Sequence, residues 1–171
     1  YSGNEVLRGV SFALPEGQVV GLIGPNGSGK SSLLRCIVGV TGFGSGRIAI
    51  DGLALADGPV QYRRSLGYAV EPRTLPDVLT ARQCIELLAE LRGDARPQAS
   101  IELANALGLG PWIDRAVATY SLGTRQKLAI VLAMLGDPPL LVLDEILNGL
   151  DPVAAYALKQ ELKRRAQDGA T

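Results

Sequence analysis

Residues 24 to 31 read GPNGSGKS and follow the apolar run VVGLI. This octapeptide fits the pattern G-x-x-x-x-G-K-[ST], whose glycines let successive backbone amides converge on an anion while a helix opens behind them. We expect Lys30 to contact the β- and γ-phosphates of a nucleoside triphosphate, Ser31 to ligate Mg²⁺ and Ser32 to add a phosphate contact. A bare glycine-rich turn is the alternative, but it gives the Lys-Ser pair no packing role. The predicted phosphate-binding loop comprises Gly24, Pro25, Asn26, Gly27, Ser28, Gly29, Lys30, Ser31 and Ser32.

Two carboxylates end another apolar run, LLVLDE at residues 140 to 145. In open α/β sheets, ligand crevices form at the carboxyl ends of the strands. Asp144 suits a hold on Mg²⁺ beside a phosphate-binding loop, and we assign Glu145 to polarise the water that attacks the γ-phosphate. Two acids in an ordinary strand-ending turn are the alternative interpretation.

Strands and helices must position these groups. Four apolar runs bounded by Gly and Pro have the nearly continuous pattern of strands buried on both faces. They are QVVGLIG (18–24), GRIAIDG (46–52), SLGYAV (65–70) and LLVLDE (140–145). Helices are predicted from Lys30 to about Val38, from Thr80 to Gly93, from Pro97 to Gly108, through Leu128 to Gly136, and from Asp151 onward. The alternation of the two patterns predicts an α/β fold.

The stretch from about residue 73 to 125 carries helix signals without a convincing strand. We interpret it as a helical insertion in an α/β core formed by residues 1–72 and 126–171 of a single domain. Because neither end of the chain completes an element, we expect a domain that is trimmed at both ends.

The composition argues against several function classes. Seventeen Lys and Arg balance seventeen Asp and Glu, so the basic excess typical of nucleic-acid binding is missing, and we expect no nucleic-acid partner. Without histidine, and with Cys36 and Cys84 far apart, the chain offers few ligands for zinc or iron, and both cysteines are expected as reduced core thiols. The apolar run 128–135 is too short to cross a bilayer and no signal-peptide pattern is present, so a soluble, cytoplasmic chain is expected.

The order of the motifs resembles that of the ATP-binding cassette ATPases. The phosphate-binding loop, YSLGTRQKLAIVLAML, LLVLDE and NGLDP follow one another at the spacing of that family, over essentially the whole chain. The YSLG sequence is similar to cassettes of bacterial drug, antibiotic and bacteriocin exporters. The resemblance implies a P-loop NTPase fold with a mostly parallel sheet, an antiparallel β part near the N-terminus and an inserted α-helical subdomain.

The resemblance also implies roles in a two-fold nucleotide sandwich. Ser121 and Gly123 match the family's signature, whose donors meet the γ-phosphate held by a second copy. Capping of its own helix is the alternative role for Ser121. Asp151 lies in the segment that resembles the family's D-loop and would cross towards the partner's site. It can also cap the last helix, and the two roles are compatible.

Three further features follow from the same resemblance. Glu71 occupies the place of the family's glutamine after a strand, where a carboxylate could bind Mg²⁺ or the attacking water. Tyr1 lies at the distance of the aromatic residue that stacks on adenine. The family's switch histidine would come after the next strand, beyond Thr171, so we expect the 171 residues alone to hydrolyse ATP slowly.

These inferences predict the nucleotide-binding domain of an exporter. Two copies would bind Mg²⁺-ATP head to tail, and transmembrane permease subunits would hold them at the inner face of the cell membrane. One alternative is a soluble cassette that acts on ribosomes or DNA, against which neutral charge and a single cassette argue. The other is a P-loop kinase of small molecules, against which Glu145 beside Asp144 and the YSLG helix argue.

Overall fold

A computed structural model describes residues 6–93 and 97–171. The six α-helices within these ranges are α1 (Lys30–Ile37), α2 (Pro59–Arg64), α3 (Ala81–Arg92), α4 (Pro97–Ala106), α5 (Leu122–Met134) and α6 (Pro152–Gln167). The four strands are β1 (Ala49–Ile50), β2 (Leu53–Ala54), β3 (Leu66–Tyr68) and β4 (Leu140–Val142). Short 3-10 turns cover Pro72–Thr74, Gly110–Trp112 and Val117–Thr119.

The strands form one parallel and one antiparallel pair. β3 runs parallel to β4, with Leu66 opposite Leu140 and Tyr68 opposite Val142. β1 and β2 form an antiparallel hairpin that turns at residues 51–52. Three of the four predicted strand segments therefore contain strands, each shorter than its apolar run, and the α/β class is confirmed.

The run at 18–24 is the strand prediction that was wrong. Residues 18–24 belong to no strand, and Val19 and Ile23 are 68% and 93% exposed. An extended segment becomes a strand only when a neighbour satisfies its amides and carbonyls, and a buried strand also needs cover on its faces. None of the strands in the described ranges pairs with this run. Its apolar pattern alone was therefore not enough to form a sheet.

Local signals place the helix ends close to their predicted positions. The capping box of α3 is complete, because Thr80 Oγ1 accepts from the Gln83 amide and Gln83 Oε1 accepts from the Thr80 amide. The helix then ends at Gly93, with a φ of 71°. α5 stops at Met134, two residues before the predicted Gly136.

The largest apolar cluster lies between α3, α4, α5 and α6. A smaller cluster, with Val38, Ile50, Tyr62, Leu66 and Val142 at its centre, joins the C-terminal end of α1 to both strand pairs. Cys36 and Cys84 are both buried and free, as expected of core thiols.

Gly67 lies at a close contact between a helix and a strand. A β-carbon at this residue of β3 would lie 1.9 Å from the backbone oxygen of Ala133 in α5. Only glycine allows the strand and the helix to approach so closely. The contact fixes α5 against the parallel strand pair whose carboxyl ends lead to the candidate acidic groups.

The segment 73–125 contains α3, α4 and the first turn of α5, and its described residues form no strand beyond an isolated bridge between Thr80 and Ala116. The predicted limit at residue 125 lies inside α5, which begins at Leu122. The division into core and insertion stays a prediction. None of the helices in the described ranges is long and apolar enough to cross a membrane.

Candidate nucleotide site

The phosphate-binding loop ends where α1 begins. Gly29 is the N-cap residue of α1 with a φ of 93°, and Gly27 has a φ of 81°, both in the left-handed region that favours glycine. No side chain caps the helix. Its first amides therefore lack the partner that a Ser, Thr or Asp cap would supply, and an external anion could accept from them.

Lys30 turns back over its own loop. Its Nζ donates to the backbone oxygens of Gly24 at 2.7 Å and Pro25 at 2.9 Å. The Ser28 amide also donates to the Pro25 oxygen, at 3.2 Å, which closes a tight turn. A β-carbon on Gly24 would lie 2.8 Å from Ser28 Oγ, so a larger residue there would require the Ser28 side chain to move. The ammonium is thus positioned at the loop that a phosphate would enter, with carbonyl oxygens as its present partners.

The remaining members of the predicted loop follow its turn. Pro25, Asn26, Gly27 and Ser28 are exposed, whereas Ser31 and Ser32 are half-buried in the first turn of α1. Ser31 and Ser32 thus lie beside Lys30, as a site for a phosphate and its counter-ion requires.

The acidic pair follows β4 directly. Asp144 is half-buried two residues after Val142, and Glu145 is exposed with a φ of 50°. A positive φ is uncommon for a non-glycine residue. Asn148 stabilises the turn, because its backbone amide donates to the Glu145 oxygen and its side-chain Nδ2 donates to Glu145 Oε2, both at 3.0 Å. Ile146 between them is buried in the core, so the turn is anchored.

Glu71 emerges at the same edge of the strand pair as the acidic turn. β3 and β4 are parallel, and the Ala69 amide extends their pairing by donating to the Val142 oxygen at 3.4 Å. Parallel strands bring their carboxyl ends to one edge. The backbone oxygen of Glu71 accepts from the amide and hydroxyl of Thr74, at 2.9 and 2.7 Å. Its carboxylate is left exposed at this edge.

Ser121 and Gly123 start α5 in contact with the turn after Glu145. Ser121 caps the helix, since its Oγ accepts from the Thr124 amide at 3.2 Å. A β-carbon on Gly123 would lie 2.7 Å from the backbone oxygen of Gly149. One turn later, Lys127 Nζ lies 2.6 Å from Asp151 Oδ2. The first two turns of α5 and residues 149–151 therefore form one packed unit.

Asp151 has two partners in this unit. Its carboxylate accepts from the Ala154 amide at 2.9 Å and so caps α6. The ion pair with Lys127, followed by the amide hydrogen bond, lowers the pKa of Asp151 from 3.8 to about 2. The capping roles foreseen for Ser121 and Asp151 are thus present, and their roles towards a nucleotide stay predictions.

The described contacts bring some predicted residues together and leave others separate. Ser121, Gly123 and Asp151 belong to the packed unit that adjoins the acidic turn. Within residues 6–93 and 97–171, no hydrogen bond or ion pair links the phosphate-binding loop to Asp144 or Glu145. Tyr1 lies outside the described residues.

Sequence reasoning included Asn148, Gly149 and Lys127 only as members of the NGLDP and YSLGTRQKLAIVLAML motifs and did not foresee their contacts. Asn148 follows Glu145 by three residues, a spacing at which an amide can reach back across a turn. The motif resemblance drew attention to the acids and the signature instead of their neighbours. The contacts of Gly149 and Lys127 gave no local signal, because each joins segments more than twenty residues apart.

Comparison with known proteins gives the family. The family model for ABC transporters matches residues 7–148, and the chain belongs to this family. This confirms the resemblance drawn from the motifs and gives no support to the small-molecule kinase alternative.

The chain is similar to proteins of different sizes. It is 38% identical to ATP-binding cassette sub-family A member 7 of Rattus norvegicus over 161 residues, 92% of this chain and 7% of that protein. It is 32% identical to the lantibiotic transport ATP-binding protein SrtF of Streptococcus pyogenes over 171 residues, 100% of this chain and 73% of SrtF. The chain thus spans only 7 to 8% of the length of its mammalian sub-family A relatives.

A solved structure extends the likeness to the backbone. It is the dimeric structure of a post-hydrolysis state of the ATP-binding cassette MJ0796 bound to ADP and Pi. The TM-score is 0.85 at 27% identity, covering 97% of this chain and 77% of that one. The P-loop NTPase fold class is therefore confirmed.

Proposed function

We propose that this chain is the ATP-binding and ATP-hydrolysing cassette of an exporter. The observation that carries the proposal is the uncapped start of α1 behind GPNGSGKS, with Lys30 Nζ held within 2.9 Å of the loop carbonyls. Phosphate oxygens would accept from the first amides of α1 and from Lys30, in place of its present carbonyl partners. Binding would replace the hydrogen bonds from Lys30 to the loop carbonyls with stronger hydrogen bonds to charged phosphate oxygens. A triphosphate is therefore favoured over a neutral ligand.

The residues available fit a magnesium ion. Mg²⁺ prefers oxygen ligands and keeps waters and phosphate oxygens in its shell, so few protein ligands suffice. The Ser31 hydroxyl and the carboxylates of Asp144 and Glu71 supply such oxygens, and the described residues hold no cluster of three or more His, Cys, Asp and Glu that would form a self-sufficient metal site. When bound, the ion would neutralise charge on the β- and γ-phosphate oxygens.

Glu145 is the residue that we assign to the attacking water. Its carboxylate is exposed next to Asp144, and Asn148 Nδ2 holds Oε2 at 3.0 Å. A carboxylate oriented in this way can accept a hydrogen bond from the attacking water, which polarises the O–H bond and makes the water oxygen a better nucleophile towards the γ-phosphorus. The turn at 145–148 therefore acts to orient an acceptor, and loss of that acceptor should slow hydrolysis without preventing nucleotide binding.

A second copy would complete the site. The start of α5 offers the Ser121 hydroxyl and the Gly123 amide as donors, and these would contact the γ-phosphate bound by the partner, with Asp151 crossing the same interface. The dimeric form of the structurally similar cassette supports this arrangement. We further propose that transmembrane permease subunits hold the dimer at the cytoplasmic face of the membrane, and that it powers export, as the likeness to a lantibiotic transport protein supports.

Calorimetry with Mg²⁺ and ATP on the full-length protein tests nucleotide binding. The wild type should bind ATP, Lys30→Ala should lose binding, and Glu145→Gln should bind ATP yet release little phosphate. Lys159→Ala on α6 is the matched control, because it removes an exposed lysine far along the chain from the loop. A folded wild type that releases no heat, or a Lys30→Ala variant that binds like the wild type, contradicts the proposal.

A separate experiment tests the transport role. The tagged full-length protein, purified in mild detergent, should carry integral membrane subunits with it. Recovery of ribosomes in their place would favour the soluble alternative.

A further inference from the structure

Asp77 contacts the chain on both sides of the signature residues Ser121 and Gly123. Its backbone oxygen accepts from the Ala118 amide at 3.0 Å. Its carboxylate forms an ion pair with Arg125 in the first turn of α5. One residue thus holds positions 118 and 125, three residues before Ser121 and four residues after it.

The segment that carries Asp77 is itself fixed. Leu75 is buried in the main core, and the Val117 amide donates to the Leu79 oxygen at 2.8 Å. Thr80 then pairs with Ala116 in an isolated bridge. Residues 75–80 are therefore held against residues 116–118. A displacement of residues 75–80 would also displace the start of α5.

Arg125 is suited to hold the first turn of α5 in place. Its side chain is only 14% exposed, whereas that of Asp77 is 62% exposed. A guanidinium stays charged at every physiological pH and donates in a fixed planar geometry. Because Arg125 is packed against its surroundings and Asp77 reaches it from the surface, loss of either group frees the same end of the signature turn.

We propose that Asp77 and Arg125 form a positioning pair that holds the signature turn, Ser121 to Thr124, in the orientation needed to meet the partner's nucleotide. The pair touches no nucleotide itself. The inference rests on the proposed function, and it adds to that function a link from the segment after Glu71 to the signature turn. It predicts that the pair governs ATP-driven dimerisation and leaves nucleotide binding at the phosphate-binding loop intact.

Dimerisation is measured in the full-length Glu145→Gln background, where bound ATP persists. Asp77→Ala removes the half-exposed ion pair, so its ATP-dependent dimerisation should be about fivefold weaker than that of the Glu145→Gln parent. Its nucleotide affinity should stay within about twofold of the parent. Arg125→Ala should match it, and the double variant should be no weaker than either single one, because one interaction is lost in all three. Arg125→Lys, which keeps the charge, should recover part of the loss.

Asp114→Ala is the matched control. Asp114 forms a two-hydrogen-bond ion pair with Arg82 in the same part of the chain, and its side chain is 66% exposed, close to the 62% of Asp77. The hydrogen bonds of this pair join Arg82 to Asp114 and not to a residue of α5, so Asp114→Ala should leave dimerisation unchanged. Equal weakening in the control, additive effects in the double variant, or an Asp77→Ala protein that dimerises normally would overturn the positioning pair.

Hydrogen exchange separates this inference from the proposed function. Even in nucleotide-free protein, Asp77→Ala should speed exchange of the amides of residues 121–124 several-fold over the Asp114→Ala control. Failure of the wild type to bind ATP would contradict the proposed function alone. Unchanged exchange at residues 121–124 would overturn the positioning pair, whatever the nucleotide result.

Discussion

Gly123 lies against the backbone oxygen of Gly149, so close that a β-carbon on Gly123 would be 2.7 Å from that oxygen. The contact joins the first turn of α5 to the turn that follows Glu145. Side chains cannot yield here, because the opposing atom belongs to the backbone. Two glycines in contact therefore set the distance between the candidate signature and residue 149, which follows the candidate catalytic acid by four residues.

Gly123→Ala should break this contact. Alanine favours a helix by nearly 1 kcal/mol over glycine, but the clash with a backbone oxygen should cost about 1 to 3 kcal/mol and shift residues 148–150. We expect a lower melting temperature and slower ATP hydrolysis, measured by calorimetry and phosphate release. Gly42→Ala is the control, because a β-carbon there meets nothing within 4 Å. A Gly123→Ala protein as stable and active as the control would contradict the prediction.

The ion pair between Lys127 and Asp151 should make stability depend on pH in the acid range. The pKa of Asp151 is lowered to about 2 in the folded protein, below its value of about 3.9 in an unfolded chain. Its contribution is therefore complete above about pH 4 and is lost as the pH falls towards about 2.

Urea unfolding at pH 5 and at pH 2.5 measures this contribution. Asp151→Asn keeps a side chain that can cap α6 but removes the charge, so its stability should fall less between the two pH values than that of the wild type. Lys127→Met should bring the pKa of Asp151 back towards its ordinary value, measured by carboxyl NMR. Parallel pH dependence of wild type and Asp151→Asn would show that the pair does not titrate as described.

Local signals in the sequence predicted most helix starts. Thr80, Ser121 and Asp151 each accept from an amide three residues later, a relation that depends only on nearby residues. The phosphate-binding loop is also local, since its glycines and Lys30 lie within nine consecutive residues. These features could be predicted because the residues that form them lie within a few positions of one another in the sequence.

Features that depend on distant partners were not predicted. The apolar run 18–24 has a strand-like pattern, yet no described strand pairs with it. The contact of Gly67 with Ala133 and the pair of Asp77 with Arg125 join segments 66 and 48 residues apart, and no local pattern encodes them. The role of Glu71 was expected only from the family resemblance, because no local pattern shows that β3 and β4 are adjacent. Pairing between distant segments is decided by packing in the whole fold.

Arg164 and Arg165 on α6 offer a direct test of how burial changes the value of an ion pair. Both contact Glu161, at 2.8 and 2.7 Å, but their side chains are 55% and 9% exposed. Arg165 also pairs with Asp137 at 3.1 Å and donates to the Met134 oxygen at 3.0 Å. It therefore connects α6 to the segment between α5 and β4. Arg164 pairs with Glu161 and Asp168, which lie on α6 or at its end.

Replacing each arginine with methionine keeps the length of the side chain and removes the charge. Arg165→Met leaves the Met134 oxygen and part of Glu161 without a donor in a buried setting, so it should cost about 2 to 4 kcal/mol of unfolding free energy. Arg164→Met removes an exposed pair and should cost less than about 1 kcal/mol. Guanidinium chloride unfolding of the two variants compares them directly. Equal losses would mean that burial and the additional partners of Arg165 add nothing to the value of its ion pair, and would contradict the prediction.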